Sequence, residues 1–383
     1  MMTDDLDQVE LGLFAGGFSR GVSLSSIAQL FEPARLTQAR VLKEWSKTEL
    51  AEQLPVSAAA VGQYESGITK PRPELLPILA RKLDVPVEFF AAGRPLGRMD
   101  ATYAHFRSLR STRVKDRAKA AAYVEQVWEL VTALERRVRF PVLDLPEVEL
   151  GTSPETAAAL LRDHWVIRRG PVTHLAARIE SSGIVVTTIS ITDDAFGRVS
   201  AFSTDVFDTP IVVVTPERLR SVYRYRFTCA HELGHLLLHP NPAAGDRDQE
   251  READRFAAEF LTPRQEIDPL LPVTVRLSKL ESLSSSWGVS VESLLRRMGE
   301  TGRASDVSIR RAYQRLAGLS DVRREEPLSR FPGEQPTLLR DAVELAERHG
   351  YSRVELATEL GWKVRHLEWI LGITDTRPTL RPV

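Results

Sequence analysis

Cysteine is almost absent from this chain: Cys229 stands alone. A single thiol excludes an intramolecular disulfide framework, and with no secretory signal in view a reducing cytoplasm is the expectation. Long apolar runs are missing too. None approaches the length that spans a bilayer, so no membrane partner is expected, and the stretch from Met1 to Glu10 is acidic rather than basic. Charge of one sign is also lacking. A formal net charge of −1 argues against bulk coating of nucleic acid, though not against a locally basic face. What is present is ordinary for a protein with real cores: 43% hydrophobic and 27% charged residues over 383 positions, with two or three domains expected.

Along the chain, residues 1 to about 32 have no clear periodicity, and Gly16, Gly17 and Gly21 lie among small polar residues. They read as a weakly ordered tail or as sequence upstream of the natural start. Short helices with turn signals follow from Leu36 to Phe90. Residues 101 to 140 read as mostly one long helix, basic at first (Arg107, Arg110, Arg113, Lys115, Arg117, Lys119) and ended by Pro141 and Pro146. That basic run is either a solvated helix face or a supplementary phosphate contact. Ser153-Pro154 has the form of a helix cap followed by proline at the first helical position. Helices are expected to about Trp165 and over Pro171 to Glu180, then β-branched strands at 184–189, 199–204 and 211–214. Helix resumes at about Glu217.

That helix carries His231-Glu232-Leu233-Gly234-His235. Histidines four apart lie one helical turn apart on one side, so both imidazoles can reach one tetrahedral Zn²⁺. The intervening Glu232 then stands beside the water to be activated, as a general base of hydrolysis requires. A catalytic zinc takes a third protein ligand, and Glu250 on the next acidic helix is assigned to it. Asp254, one turn on, is the acceptor that orients a ligand histidine; Glu252, elsewhere on the wheel, is the fallback ligand. Ala253 and Ala257 on the same face allow close helix approach. His239 reads as a helix-end histidine favoured by the macrodipole, and Cys229 as a small buried hydrophobe. Tyr223, Tyr225 and Arg251 remain alternatives for stabilising an oxyanion, and a strand at about 199–204 is a candidate for pairing with an extended substrate.

The runs Phe227 to His239 and Glu250 to Pro263 together resemble the ImmA/IrrE metallopeptidase family, and the resemblance extends loosely over 153–316, through Ser286-Trp287-Gly288-Val289-Ser290. Cys229 and Thr262 depart from its commoner residues. The resemblance implies a thermolysin-like zinc fold and site-specific cleavage of a DNA-binding repressor, relieving repression under stress or in mobile-element and phage control. By position it implies His231, His235 and Glu250 as ligands and Glu232 as base.

Nearer the N-terminus, Ser46-Lys47-Thr48-Glu49 has capping-box spacing and opens a short amphipathic helix. Pro55-Val56 makes a turn, Ser57 caps a second helix through Glu65, and Gly67 ends it. Leu75, Leu76, Leu79, Ala80 and Leu83 form a further packing helix. Two short helices across a tight turn read as helix-turn-helix. With Lys70-Pro71 and Leu83-Asp84-Val85, the stretch 36–93 resembles the lambda-repressor/Cro (XRE) family. The resemblance implies double-stranded operator DNA as partner and a homodimer. Ser57, Ala58, Ala59 and Gln63 would approach bases, Gln63 best suited to adenine; Lys47, Thr48, Tyr64 and Lys70 would contact or approach phosphate. A Ser352-x-x-Glu355 cap near the C-terminus faintly repeats the pattern, for packing or dimerisation rather than DNA.

The expected fold is mostly α with a small β-sheet. The domain expectation is a tail over 1–35, the helix-turn-helix over 36–93 and a helical linker over 94–150. The metallopeptidase domain follows over 151–320, with a linker and small helical segment over 321–383. The expected function is a cytoplasmic DNA-binding regulator whose zinc peptidase cleaves an XRE-type repressor or its own chain. The alternative is a transcription factor whose peptidase-like domain is a non-hydrolytic sensor or an antitoxin-like interaction module.

Overall fold

The computed structural model describes residues 23–99, 105–106, 114–188, 201–205, 207–215, 221–240, 246–318, 328 and 331–373. It is mostly α-helical with one small sheet, and it divides into two compact units. The first comprises Met1–Ala101, Arg113–Phe140 and Leu339–Val383; the second comprises Thr102–Thr112 and Pro141–Leu338. No helix among the described residues is long and apolar enough to cross a membrane.

In the first unit, the expected tail is helical where it is described. Ser23 caps α1 (Leu24–Gln29), which buries Ile27 and Ala28. Proline at the first turn opens α2 (Pro33–Leu42). Residues 1–22 of the expected tail lie outside the described residues. The capping box at Ser46 and Glu49 is formed and opens α3 (Lys47–Glu52); Ser57 caps α4 (Ala58–Glu65). The packing helix α5 (Leu76–Leu83) ends at Asp84 in a left-handed conformation. Leu36, Leu50, Val61, Leu76 and Leu79 have no exposed surface and form the core between these helices.

The long helix is shorter than its expected span. β1 (His105–Phe106) is a strand, and α6 is described over Val114–Glu135; the remainder of 100–113 lies outside the described residues. Backbone pairing with a distant strand, not a local sequence pattern, makes 105–106 a strand. Arg107, Arg110 and Arg113 of the basic run fall outside the described residues. Lys119 is not solvated: it is buried and ion-paired to Glu44, with Lys115 3.9 Å from the same carboxylate. A buried polar network joins α2 to α6. Arg35 donates to Glu129 at 2.5 Å and to the Pro95 carbonyl at 2.7 Å, and Gln38 donates to Glu125 at 3.1 Å.

The C-terminal helices also belong to the first unit. In the second unit come, in chain order, α7 (Pro154–His164), α8 (Leu175–Ser181), β2 (Val185–Thr188), β3 (Ala201–Thr204), β4 (Ile211–Val214), α9 (Val222–Leu238), α10 (Arg247–Leu261), α11 (Arg264–Ile267), α12 (Leu277–Trp287), α13 (Val291–Glu300) and α14 (Asp306–Ala317). The chain then returns to the first unit with α15 (Leu338–Arg348), α16 (Arg353–Glu359) and α17 (Val364–Ile370). The echo of the helix-turn-helix at Ser352 and Glu355 is a formed capping box. The face of α17 packs inward: Trp369 meets Tyr123 edge-on at 5.3 Å, and the His366 ring bonds the Gln126 side chain at 2.7 Å. Lys363 reaches Asp84 at 2.6 Å.

Two buried groups in this unit titrate in opposite senses. Burial pulls the His366 imidazole down to about 4 from its usual 6.5. Burial pushes the Glu125 carboxyl up to about 7 from 4.5, against hydrogen bonds from Met99 and Gln38. Where folded His366 binds fewer protons than the unfolded chain, stability rises with pH; where folded Glu125 binds more, it falls. Each group contributes at most about 1.4 kcal/mol per pH unit. Between pH 5 and 6.5 the slopes oppose, so removing either group should uncover the other. In urea titrations, His366→Gln should lose stability as pH rises through this window and Glu125→Gln should gain it. Parallel profiles for the two variants would contradict the assignment.

The second unit is built on the sheet, in the order β1-β3-β4-β2. β2 and β4 run parallel, while β3 is antiparallel to both β4 and β1. The strand expected to receive an extended substrate therefore has a neighbour on each side. Ile184, Val186, Val212 and Val214 pack with Tyr225, Cys229, Ala230 and Leu233 of α9 and with Phe256, Ala257 and Phe260 of α10. This apolar body fixes α9 against the sheet and α10 against α9.

Candidate functional site

Gly234 decides how near α10 comes to α9. A Cβ there would lie 3.0 Å from the Phe256 ring and 3.2 Å from the Ala253 Cα, so the absence of a side chain at 234 lets Phe256 and the Ala253 backbone come close. The approach brings Glu250 and Asp254 to the histidines. The His231 and His235 Nε2 atoms are 3.1 Å apart, and each lies 3.5 Å from an oxygen of Glu250. These three residues form the described group of His, Cys, Asp and Glu side chains able to hold a metal ion. Bonds of about 2.0–2.1 Å in a tetrahedral zinc shell place ligand atoms about 3.3–3.4 Å apart, so the separations fit a two-nitrogen, one-oxygen site.

The other ring nitrogens are engaged. His231 Nδ1 lies 2.9 Å from Asp254 Oδ1. His235 Nδ1 lies 3.0 Å from His239 Nδ1, and His239 Nε2 lies 2.9 Å from Glu252 Oε2. Neutral imidazoles that keep Nε2 free for a metal must carry hydrogen on Nδ1. His231 then donates to Asp254 and His235 to His239, whose Nε2–H donates to Glu252. His239 stands at the helix end as expected, and its ring also extends the line from His235; Glu252, the fallback ligand, ends that line at His239. The helix stops at Leu238, so the His239 ring turns back onto His235 instead of facing solvent.

Burial pulls the His235 imidazole down to about 4, against its hydrogen bond to Glu250. Burial alone would raise the Glu250 carboxyl, but the two histidines beside it hold it at about 2. At neutral pH the cluster thus presents a neutral His235 ring and a Glu250 carboxylate, the protonation states that bind metal. Glu232 is fully buried, and Ser203 Oγ on β3 donates to its Oε2 at 2.8 Å. Sequence reasoning missed Ser203. A serine in a short strand 29 residues away has no motif that could have found it.

Of the oxyanion alternatives, Tyr225 is sealed in the apolar core beside Cys229, whose thiol burial pushes up as expected of an inert hydrophobe. Arg251 is exposed and paired with Asp248 at 2.8 Å. Tyr223 lines a cavity of about 280 Å³ with Phe227, Asp254 and Tyr313. Thr262 accepts from Arg297 at 3.3 Å and stands apart from the metal cluster.

In the first unit, Lys47, Thr48, Ser57, Ala59, Gln63 and Lys70 are exposed on or beside α3 and α4, and Ala58 and Tyr64 are half-buried. Ser57 is committed to capping α4, accepting from Ala60 at 3.2 Å. Lys47 lies 3.5 Å from Glu65, which Arg40 grips from the inner side. Lys70 donates to the Gln29 carbonyl.

Comparison with known families agrees with both halves. Residues 36–90 match the family model described as helix-turn-helix, and residues 179–298 match the one described as IrrE N-terminal-like domain. No curated protein matches the chain significantly. The chain thus carries an XRE-type helix-turn-helix DNA-binding domain followed by an ImmA/IrrE-like peptidase-family domain.

Proposed function

We propose that this DNA-binding regulator is a zinc-dependent endopeptidase that cleaves a repressor of helix-turn-helix type, in trans or in its own chain, and so relieves repression. The observation that carries the reading is the convergence of His231, His235 and Glu250 at tetrahedral spacing with Glu232 on the same helical turn. His231, His235 and Glu250 hold the metal. Held there, a zinc ion would supply Lewis acidity for amide hydrolysis. Glu232 accepts the water proton at its carboxylate and returns it to the leaving amine, while Ser203 keeps that carboxylate oriented. Asp254 and the His239–Glu252 pair hold the ligand rings in the required tautomer.

On DNA, α4 enters the major groove as a dimer's reading element. Ser57, Ala58, Ala59 and Gln63 approach the bases, and Gln63 makes the side-chain hydrogen bonds. Lys47, Thr48, Tyr64 and Lys70 serve the phosphates, Lys70 after releasing Gln29. The few hydrogen-bonding groups at 58–60 make shape and phosphate contact the larger share of affinity.

The test is incubation of the zinc-loaded chain alone and with helix-turn-helix proteins of the same type, read by intact mass. Discrete fragments that vanish with chelator are expected. Intact substrates throughout, despite bound zinc and specific DNA binding, would favour the non-hydrolytic sensor.

A further inference from the structure

An endopeptidase must hold its substrate extended beside the general base, and pairing with a sheet edge is the common means. The strand nearest Glu232 is β3, because Ser203 on it donates to the Glu232 carboxylate. Without β1, β3 would be an edge strand among the described residues, since β4 covers only one side of it. β1 takes the other side in antiparallel register, His105 opposite Ser203 and Phe106 opposite Phe202. This short strand lies outside the 179–298 stretch that matches the peptidase family. In sequence it falls between two stretches of the first unit, yet its contacts place it in the second.

We propose that β1 occupies the place of the substrate strand, so that the chain's own 105–106 segment closes the candidate cleft to other extended chains until it leaves. The proposal rests on the peptidase reading for its consequence and on the sheet for its geometry. Two paired residues are few enough for a longer incoming strand to displace. A regulator that must not cut at random gains selectivity if a substrate has to compete for β3.

The test uses the full zinc-loaded chain. His105→Pro with Phe106→Pro removes both amide donors and cannot pair in a ladder. A second variant replaces 102–112 by a glycine–serine stretch of equal length. In a Glu232→Gln background, a fluorescein-labelled peptide spanning residues 99–115 should bind both variants at least ten-fold more tightly than the chain with its native 105–106. Equal affinity for all three, or binding to none, would overturn the proposal. With Glu232 intact, both variants should cleave an unfolded casein substrate at least ten-fold faster in kcat/KM. Loss of all hydrolysis with the binding difference retained would sink the peptidase reading and leave the occupancy standing.

Discussion

Glu232→Gln should lower kcat for the cleaved protein by about 10²–10⁴-fold, the range attributed to a positioned general base, while metal content stays at the wild-type level. Glutamine has the size of glutamate and still accepts from Ser203, so the buried position between His231 and His235 remains filled. What it loses is the ability to take a proton. Because glutamine also removes a buried charge, the variant should be no less stable than the parent, which separates lost chemistry from lost fold. Rate measurements alongside metal analysis of the same preparations check this. Activity within ten-fold of wild type would remove Glu232 from the mechanism.

The second large effect is on the metal. Glu250→Ala takes away the only carboxylate among the described residues within 3.5 Å of both Nε2 atoms, and zinc affinity should fall by at least about a hundred-fold in chelator competition. Asp254→Ala and His239→Ala should each weaken binding about 10–100-fold, the range for partners that orient ligand histidines. Glu252→Ala should weaken it less, since Glu252 acts through two rings and is nearly half exposed. The order Glu250 first, then Asp254 and His239, then Glu252 is the signature of the arrangement. Equal losses at Glu250 and Glu252 would contradict it.

Much of this was legible in the sequence because it is local. The spacing of His231, Glu232 and His235 defines one helical face whatever the tertiary context. Ser46, Ser57, Ser153 and Ser352 each cap the helix that they announce, since a cap needs only the next three residues. The strands at 185–188 and 211–214 follow from β-branched runs that are buried among their neighbours. Glu250 and Asp254 were reached because small residues at 253 and 257 fixed which face of α10 meets α9.

What was not legible depends on distant partners. His105-Phe106 is too short to carry a strand pattern of its own; β3 supplies the reason. The His239 ring could be placed only once the helix end and the position of Glu252 were known together. Lys119 reads as a surface cation until Glu44 is brought to it, and the basic run loses its solvated character there. The C-terminal capping box predicts a helix but not its docking, which Tyr123 and Gln126 of α6 decide.

Zinc K-edge absorption on the zinc-loaded chain tests the central claim most directly. The account predicts one zinc per chain with two histidine nitrogens at about 2.0–2.1 Å, oxygen for the rest and no sulfur. A sulfur neighbour at about 2.3 Å, or an unchanged spectrum in His231→Ala, would contradict it.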